Sequence, residues 1–269
     1  MLGPETRDYR QILRSVLLFR RADYGKILRS VRVHGVASTA RRGFLALLRR
    51  RTSSRWLAEN RAFDERYGLQ TSDREQLHDL TVKSASTESS EAYSPTPVNV
   101  IPDVLSRLEP DYRDFSFVDL GAGKGAVVIL AAQFNFSRVV GVEFARELHE
   151  QSIQNVAQYP SDRTVCKDIA LLHMDVADYE FPANNLVIFI FNAFKKELLY
   201  QIMRNIGASY RANPRKIYIV YLNPVPENDP VKAISSLEFM TARDVFSFAD
   251  AIQFCLKCPY DVVVYGARR

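Results

Sequence analysis

Apolar and polar positions in the second half of the chain follow two alternating patterns. Short runs rich in Val, Ile, Phe and Tyr are typical of buried strands, and segments with apolar residues every three or four positions are typical of helices packed against them. Strand-like runs lie at residues 115–120, 138–144, 170–175, 185–191 and 216–222, and helical patterns lie at residues 124–134, 145–159 and 195–211. Strands that alternate with helices predict βαβ units, and therefore an α/β fold with a mostly parallel sheet covered by helices on both faces.

The last two strand-like runs break this alternation. Residues 251–258 and 260–267 are both apolar, and only Pro259 separates them. Since a parallel pair of strands needs a long crossover connection, we expect these runs to form an antiparallel hairpin. The predicted sheet is therefore mostly parallel and closes with an antiparallel C-terminal hairpin strand.

The chain upstream of this α/β pattern is organised differently. Residues 9–22 and 40–58 carry the apolar stripe of amphipathic helices. Residues 81–96 are rich in Ser and Thr, which predicts a loop or linker. We therefore divide the chain into a basic, mainly helical N-terminal segment with its linker, residues 1–92, and an α/β domain, residues 93–269.

Charge is spread unevenly along the 269 residues. Residues 1–66 hold 16 Lys and Arg against 6 Asp and Glu, whereas the rest of the chain is mildly acidic. Such a segment suits an acidic partner, for example nucleic acid or anionic lipid, and an Arg-rich N-terminus also fits an organelle-targeting sequence. The plainer interpretation is a set of helices that pack on the body and keep their arginines in water.

Composition narrows the class of protein. Three cysteines are too few for a disulfide scaffold, which indicates a reducing compartment and favours a cytoplasmic location. Cys255 and Cys258 form a C-x-x-C pair, but a zinc site needs two more ligands at matching spacing, so we predict no metal site. No apolar run reaches the roughly 18–20 residues that span a bilayer.

The stretch FVDLGAGKGAVVILAA, residues 117–132, places a glycine-rich turn between the first predicted strand and its helix. Parallel sheets bind ligands at the carboxyl ends of their strands, where this turn lies. A nucleotide phosphate loop is excluded, because Val118 occupies the position of its first glycine and Gly125 that of its magnesium-binding hydroxyl.

A second glycine pattern keeps a dinucleotide open. Residues 121–126, GAGKGA, match G-x-G-x-x-G/A, and Glu143 follows near the position of a ribose-binding acid. Asp119 argues the other way, since a carboxylate just before the turn would repel a pyrophosphate. A cofactor with a positive charge and no phosphate, such as S-adenosylmethionine, suits an acid at this corner.

Four segments and the closing strand together resemble a known family. VDLGAGKG, VVGVEFA, HMDVADYEF and NLVIFIFNAF occur in the order found in class I S-adenosylmethionine-dependent methyltransferases. The resemblance covers residues 93–269 and implies a Rossmann-like sheet of seven strands, methyl transfer as the activity, and S-adenosyl-L-methionine as the cofactor. VDLGAGKG and GVE are also similar to the non-SET histone-lysine methyltransferases.

Two further segments extend the resemblance to a bacterial group of such enzymes. These are FDERYGLQT, residues 63–71, and YSPTP, residues 93–97. The second segment of that group usually reads Tyr-Glu-Pro-Thr-Pro, and its fourth-strand motif usually reads Asn-Pro-Phe. Ser94 and Ala193 depart from those patterns.

The resemblance implies roles for individual residues. Glu143 would accept the ribose hydroxyls, Asp175 would accept from the exocyclic amine of adenine, and Val176 would lie near the ring. Asn192 would hold an acceptor amine beside Phe194, or else cap the next helix. The residues implied for the cofactor are Thr96, Asp119, Gly121, Ala122, Gly123, Glu143, Asp175, Val176 and Asn192, and those for catalysis are Asn192 and Tyr93.

Four other residues lie near these positions. Lys124 opens a helix, where a positive charge is unfavourable, which favours a side chain directed to water. His173 lies inside a predicted strand, where a lone histidine is more often structural than catalytic. Tyr221 and Asn223, at the end of the fifth predicted strand, are further candidates for the acceptor pocket.

Three hypotheses follow from these patterns. The first is an S-adenosylmethionine-dependent methyltransferase with a nitrogen acceptor, a protein lysine or small molecule being favoured over nucleic acid. The second is an NAD-dependent oxidoreductase on the same fold. The third is a nucleic-acid-binding protein that uses its Arg-rich front.

Overall fold

The computed structural model describes residues 55–73, 93–246, 251, 254 and 258–267. The helix predicted at residues 9–22, most of the helix predicted at residues 40–58, and most of the predicted linker lie outside these residues.

Seven strands form one mixed sheet at the centre of the described residues. The strands are β1 Phe115–Leu120, β2 Arg138–Glu143, β3 Ile169–His173, β4 Asn185–Phe191, β5 Ile217–Leu222, β6 Met240–Arg243 and β7 Val262–Ala267. Their order is β3-β2-β1-β4-β5-β7-β6. Strands β1 to β5 pair in parallel, and β7 lies antiparallel between β5 and β6. The prediction of a Rossmann-like, mostly parallel seven-stranded sheet that closes with an antiparallel C-terminal strand is confirmed.

Helices cover both faces of this sheet. They are α1 Arg55–Tyr67, α2 Val100–Leu108, α3 Ala126–Ala131, α4 Arg146–Gln158, α5 Lys196–Ala212 and α6 Pro230–Ser235. Helices α2 and α3 contribute to one hydrophobic core, and α5 and α6 contribute to the other. The arrangement is the three-layer one that the strand–helix alternation predicts.

The central strands alternate between the two cores. Along β4, Val187 and Phe189 belong to the core with α2 and α3, whereas Ile188 and Ile190 belong to the core with α5 and α6. All four side chains are essentially inaccessible to water. Each contributes about 1.5–3 kcal/mol by burial, which explains why this strand is a continuous apolar run rather than an alternating one.

The prediction of a hairpin between residues 251–258 and 260–267 is wrong in its first strand. The antiparallel partners of β7 are β5 and β6, and β6 lies earlier in the chain than the predicted run. Ala251 and Phe254 are helical, and the Cys258 amide donates to the Phe254 carbonyl at 2.8 Å. Phe254 and Cys258 are buried at helical spacing. A short apolar run fits a strand and a helix equally well, and the sequence of β6, MTAR, has too little apolar character to be noticed.

Helix α1 packs against the α/β body through aromatic contacts and a buried amide. Trp56 is 2% exposed, and its ring lies 5.8 Å from that of Tyr260. The side-chain amide of Asn60 donates to the Thr96 carbonyl at 2.9 Å and accepts from the Val98 amide at 3.0 Å. These contacts fix the chain just before α2, at the edge of the sheet where β1 ends. The division of the chain at residue 93 stays a prediction.

No helix among the described residues is both long and apolar enough to cross a membrane.

Replacing Asn60 with Ala tests how much this amide stabilises the fold. We expect the free energy of unfolding to fall by about 2–4 kcal/mol, because the substitution leaves a buried carbonyl and a buried amide without their partner. Urea denaturation measures the difference. Gln154→Ala is the control, since Gln154 carries an exposed amide on α4 and its loss should change stability by no more than about 0.5 kcal/mol. Equal stabilities of the two variants would contradict the assignment.

Candidate functional site

A cavity of about 230 Å³ opens at the carboxyl ends of β1, β2, β4 and β5. Parallel sheets bind ligands at this edge, where the loops after the strands converge. Its walls include most of the residues predicted for the site, namely Tyr93, Thr96, Asp119, Gly121, Ala122, Glu143 and Asn192. The fold therefore brings together residues from four separate parts of the sequence.

The glycine turn after β1 adopts a backbone conformation that other residues rarely take. Gly121, Gly123 and Gly125 have φ angles of 81°, 52° and 83°. A Cβ atom on Gly121 would lie 2.9 Å from the Cβ of Ala193, and one on Gly123 would collide with the ring of Tyr93. Glycine is required here both by conformation and by space, and the bare backbone can lie close to a ligand.

Glu143 ends β2 and bonds to the same turn. Its carboxylate accepts from the Gly123 amide at 2.8 Å through one oxygen and from the Ala145 amide at 2.8 Å through the other. Burial raises the pKa of Glu143, and these backbone hydrogen bonds partly oppose the increase. Because each carboxylate oxygen has two acceptor positions, Glu143 can still accept hydroxyl groups from a ligand.

Asp119 lies near the end of β1 with a side chain that is almost completely buried. It is 2% exposed, and its Oδ2 has no hydrogen-bond partner among the described residues. Burial raises the pKa of Asp119 well above its usual range, and the neighbouring charge of Glu143 raises it further. A buried carboxylate oxygen without a donor is costly, so the position favours a ligand that brings a donor or a positive charge.

The loop after β4 packs directly on the glycine turn. Asn192 has a φ angle of 38°, and its Oδ1 accepts from the side-chain amide of Asn228 at 3.1 Å. Phe194 is buried, and its ring would lie 3.6 Å from a Cβ atom on Gly121. Asn192 does not cap the following helix, because Lys195 occupies that position. The structure thus places the predicted acceptor residue beside the predicted cofactor turn.

Tyr93 and Thr96 form a second wall of the cavity. The Tyr93 ring covers Gly123, and its hydroxyl donates to the Thr71 carbonyl at 2.7 Å. Thr96 is buried, with its carbonyl bound to Asn60. The segment before α2 therefore lies over the turn.

Asp175 and Val176 are not among the described residues that line the cavity. The Asp175 carboxylate accepts from the Ala177 amide at 2.9 Å and so caps a short 3₁₀ turn, and Val176 is buried in the core below α5. His173 lies within 3.0 Å of the Phe144 carbonyl, and its ring stacks on His149 with centroids 5.3 Å apart. The roles of Asp175 and Val176 at adenine stay predictions.

The expectation that Lys124 points to water is wrong. Lys124 is 6% exposed, and its Nζ donates to the Asp73 carbonyl at 3.3 Å. The same Nζ lies 5.4 Å from the centroid of the Tyr93 ring. The residues next to Lys124 in the chain contain no sign of this environment, because Asp73 and Tyr93 come from distant parts of the sequence.

Several aromatic and apolar residues of the cavity were not predicted from the sequence. Phe144 lines the cavity and directly follows Glu143, so the motif that contains Glu143 could have predicted it. Tyr260 also lines the cavity, packed against Phe191 with ring centroids 4.9 Å apart, but its position follows only from the antiparallel return of β7. Of the further candidates, Asn223 lines the cavity, whereas Tyr221 is fully buried in the core with α5 and α6.

The described residues contain no group of three or more His, Cys, Asp or Glu side chains arranged to hold a metal ion. Cys258 is a buried cysteine that forms no disulfide with another described residue, and Cys255 lies outside the described residues.

The cavity has features that fit one kind of ligand. Oδ2 of Asp119, which has no hydrogen-bond partner among the described residues, favours a positively charged or donor group. The Glu143 carboxylate can accept bonds from two neighbouring hydroxyls. The glycine turn lets a ligand lie in close contact with the backbone. S-adenosylmethionine has all the complementary groups. A pyrophosphate would bring negative charge next to Asp119.

Comparisons with known proteins give a likeness of fold. No protein-family model matches the chain, and no curated protein matches it. Among solved structures, an RNA methyltransferase from Salinibacter ruber in complex with S-adenosyl-L-homocysteine is 16% identical, with a TM-score of 0.41 over 64% of this chain and 92% of that chain.

Two other solved structures show the same level of likeness. Precorrin-6y C5,15-methyltransferase from Geobacter metallireducens GS-15 is 13% identical, with a TM-score of 0.48 over 71% of this chain and 94% of that chain. Geranyl diphosphate C-methyltransferase from Streptomyces coelicolor A3(2) is 12% identical, with a TM-score of 0.42 over 64% and 77%. Such distant likenesses carry no argument about the reaction, which has to come from the site itself.

The burial of Asp119 makes a prediction about stability. Since its folded pKa is raised above the unfolded value, the carboxyl favours folding while it is protonated and disfavours folding as the pH rises from about 4 through the folded pKa. Asp119→Asn removes this effect. We expect the unliganded variant to exceed the wild type by about 1–3 kcal/mol in unfolding free energy at neutral pH, with the difference shrinking toward pH 4.

Urea denaturation at several pH values measures this difference. Asp162→Asn is the matched control, because Asp162 is exposed and its replacement should change the free energy of unfolding by no more than about 0.5 kcal/mol. A wild type that is the more stable protein at neutral pH would show that Asp119 is stabilised by its surroundings, contrary to this account.

Proposed function

We propose that the protein is a methyltransferase that uses S-adenosylmethionine and methylates a nitrogen atom. The observation that carries the proposal is the buried Asp119 carboxylate beneath the glycine turn, with an oxygen that has no hydrogen-bond partner among the described residues. Asp119 and Glu143 bring two acids to one small cavity, and a cationic ligand relieves their repulsion.

Each residue proposed to hold the cofactor has a chemical group that complements one part of that molecule. Asp119 is proposed to bind the positively charged amino end of the cofactor, either through a water molecule or through the backbone. Gly121, Ala122 and Gly123 offer a bare turn with positive φ angles at both glycines, over which Tyr93 lies. Glu143 offers acceptors for the ribose hydroxyls, and its carboxylate is already oriented by two backbone amides. Thr96 completes the wall on the α1 side.

The adenine end is proposed from the loop after β3. Asp175 would accept from the exocyclic amine and Val176 would lie against the ring, as the family resemblance implies. Phe144 lines the cavity directly after Glu143 and offers a second apolar surface. Asp175 already accepts from the Ala177 amide, so its carboxylate has a fixed orientation.

When bound, S-adenosylmethionine supplies an activated methyl group, which is the demanding part of the chemistry. The contribution of the protein is to align the acceptor and keep water out. Phe191, Phe194 and Tyr260 give the cavity aromatic walls at the end of β4 and just before the start of β7. The described lining of the cavity contains no Lys, Arg or His.

The nitrogen acceptor is proposed from Asn192. Its side-chain oxygen accepts one hydrogen bond, from Asn228, and keeps a second acceptor position for the N–H of an amine. Asn223 brings another amide to the same cavity from the end of β5. Neutral amides between aromatic rings suit a slender amine such as a lysine side chain better than the phosphates of a nucleic acid.

Calorimetry separates this proposal from the dinucleotide alternative. We expect the purified protein to bind S-adenosylhomocysteine and S-adenosylmethionine and to show no heat of binding with NAD or NADH. Glu143→Gln should weaken S-adenosylhomocysteine about 10- to 100-fold, because a hydroxyl loses a charged acceptor. Glu109→Gln is the control, since Glu109 accepts bonds from Lys216 and Tyr218 at the opposite edge of the sheet. Binding of NAD in place of S-adenosylhomocysteine would overturn the proposal.

Transfer of a labelled methyl group tests the acceptor. Protein, nucleic-acid and small-molecule fractions are incubated with methyl-tritiated S-adenosylmethionine, and labelled protein is hydrolysed for amino-acid analysis. We expect methylated lysine or a methylated small amine as the product. Asn192→Ala should slow transfer by about 100-fold, which is more than it weakens S-adenosylhomocysteine binding, because Asn192 is implied both for the cofactor and for catalysis. Label on oxygen or carbon, with undiminished transfer by Asn192→Ala, would contradict the nitrogen acceptor.

A further inference from the structure

A short stretch of chain after α1, residues 69–73, crosses above the glycine turn. Asp64, on α1, holds it from one side. The Asp64 carboxylate accepts from the Thr71 amide at 2.8 Å, the Thr71 hydroxyl at 2.7 Å and the Ser72 amide at 2.8 Å. Leu69 completes the bend by donating its amide to the Asp64 carbonyl at 2.9 Å. We call residues 69–73 the strap.

Asn155, on α4, holds the strap from the other side. Its Oδ1 accepts from the Gln70 amide at 2.9 Å, and its Nδ2 lies 3.3 Å from the Gln70 carbonyl. The same Nδ2 donates to the Lys124 carbonyl at 2.8 Å. Asn155 is 2% exposed, so a single buried amide links the strap to the glycine turn.

Lys124 makes a second link between the turn and the strap. Its Nζ donates to the Asp73 carbonyl at 3.3 Å and faces the Tyr93 ring at 5.4 Å. A lysine that is only 6% exposed has lost most of its hydration, so contacts of this kind have to compensate for its burial. Lys124 also lies directly before Gly125, the N-cap of α3, and a positive charge close to the N-terminus of a helix is unfavourable.

Tyr93 connects the strap to the cavity. Its hydroxyl donates to the Thr71 carbonyl at 2.7 Å. Its ring lies over Gly123, and Tyr93 itself lines the cavity. The position of Tyr93 is thus fixed by two contacts: its hydroxyl bonds to the strap, and the face of its ring packs on the glycine turn.

We propose that the strap positions Tyr93 over the glycine turn, and that Lys124 is the positioning residue that holds strap, ring and turn in one arrangement. This inference deepens the proposed function and rests on it, because the arrangement shapes the cavity where the cofactor would bind. It also assigns a purpose to FDERYGLQT, whose Asp64 and Thr71 fix the strap. Lys124 acts through Tyr93 and does not itself line the cavity among the described residues.

Three variants test the strap. Lys124→Met keeps the length of the side chain and removes the donor and the charge. Tyr93→Phe keeps the ring and removes the bond to Thr71. The third is the double variant. We expect each single variant to weaken S-adenosylhomocysteine about 3- to 10-fold in calorimetry, and the double variant to be no weaker than about the worse single one, because both act on one linked element.

The chain offers closely matched controls at the opposite edge of the sheet. Lys216 also contacts a hydrogen-bond acceptor and an aromatic ring, with Nζ 3.1 Å from Glu109 and 5.9 Å from the centroid of Phe115. The Tyr218 hydroxyl donates to Glu109 at 2.6 Å. Lys216→Met and Tyr218→Phe remove the same kinds of group far from the cavity, so they should leave S-adenosylhomocysteine affinity unchanged.

Hydrogen exchange gives a readout that needs no ligand. In unliganded Lys124→Met we expect faster exchange at the amides of residues 70–73, 93, 94 and 96, while those of β7 keep their protection. Variants with wild-type affinity and wild-type exchange over these residues would overturn the strap. A wild type that binds neither S-adenosylhomocysteine nor S-adenosylmethionine would overturn the proposed function instead, and the exchange result would still decide whether Lys124 holds the strap.

Discussion

Asp119, near the end of β1, and Glu143, at the end of the neighbouring β2, carry carboxylates that the fold removes from water. Burial penalises the ionised form of both, and the charge of Glu143 raises the pKa of Asp119 further. Glu143 is compensated by backbone amides, whereas Oδ2 of Asp119 has no partner among the described residues. A fold selected for stability alone would place an apolar residue at position 119, as it does at most positions of β1, so this acid has to be explained by what binds next to it.

The surrounding chain is arranged to keep those acids in a shaped and shielded cavity. The turn passes between Tyr93 on one side and Ala193 on the other, and at Gly121 and Gly123 the space is too small for a side chain. Residues distant in sequence fix the strap and the Tyr93 ring above the turn. Asp64 and Asn155 bond to the strap, and the strap bonds to Tyr93. The result is a site whose walls are set by buried side-chain bonds.

Local chemistry explains which of these features the sequence predicts. The strands of the sheet and the turn with Asp119 and Glu143 follow from apolar runs, glycines and spacing, which are local properties. Residues 251–258 were predicted to pair with β7, and this prediction is wrong because their apolar residues fit a helix as well as a strand. The actual partner, β6, has too little apolar character to be recognised as a strand. Lys124 and Tyr260 depend on contacts between distant parts of the chain, which no local pattern contains. Their roles therefore required the tertiary structure.

The two sides of the cavity differ in a way that bears on the proposed reaction. The side at β1 and β2 carries carboxylates, whereas the side at β4 and β5 presents the rings of Phe191, Phe194 and Tyr260 and the amides of Asn192 and Asn223. An amine attacks a methyl group only when its lone pair is free. Removal from water disfavours the charged form of an amine, whereas the faces of aromatic rings attract it, so the two effects oppose each other. In the proposed reaction the neutral amine attacks, and the amide oxygen of Asn192 orients its remaining N–H.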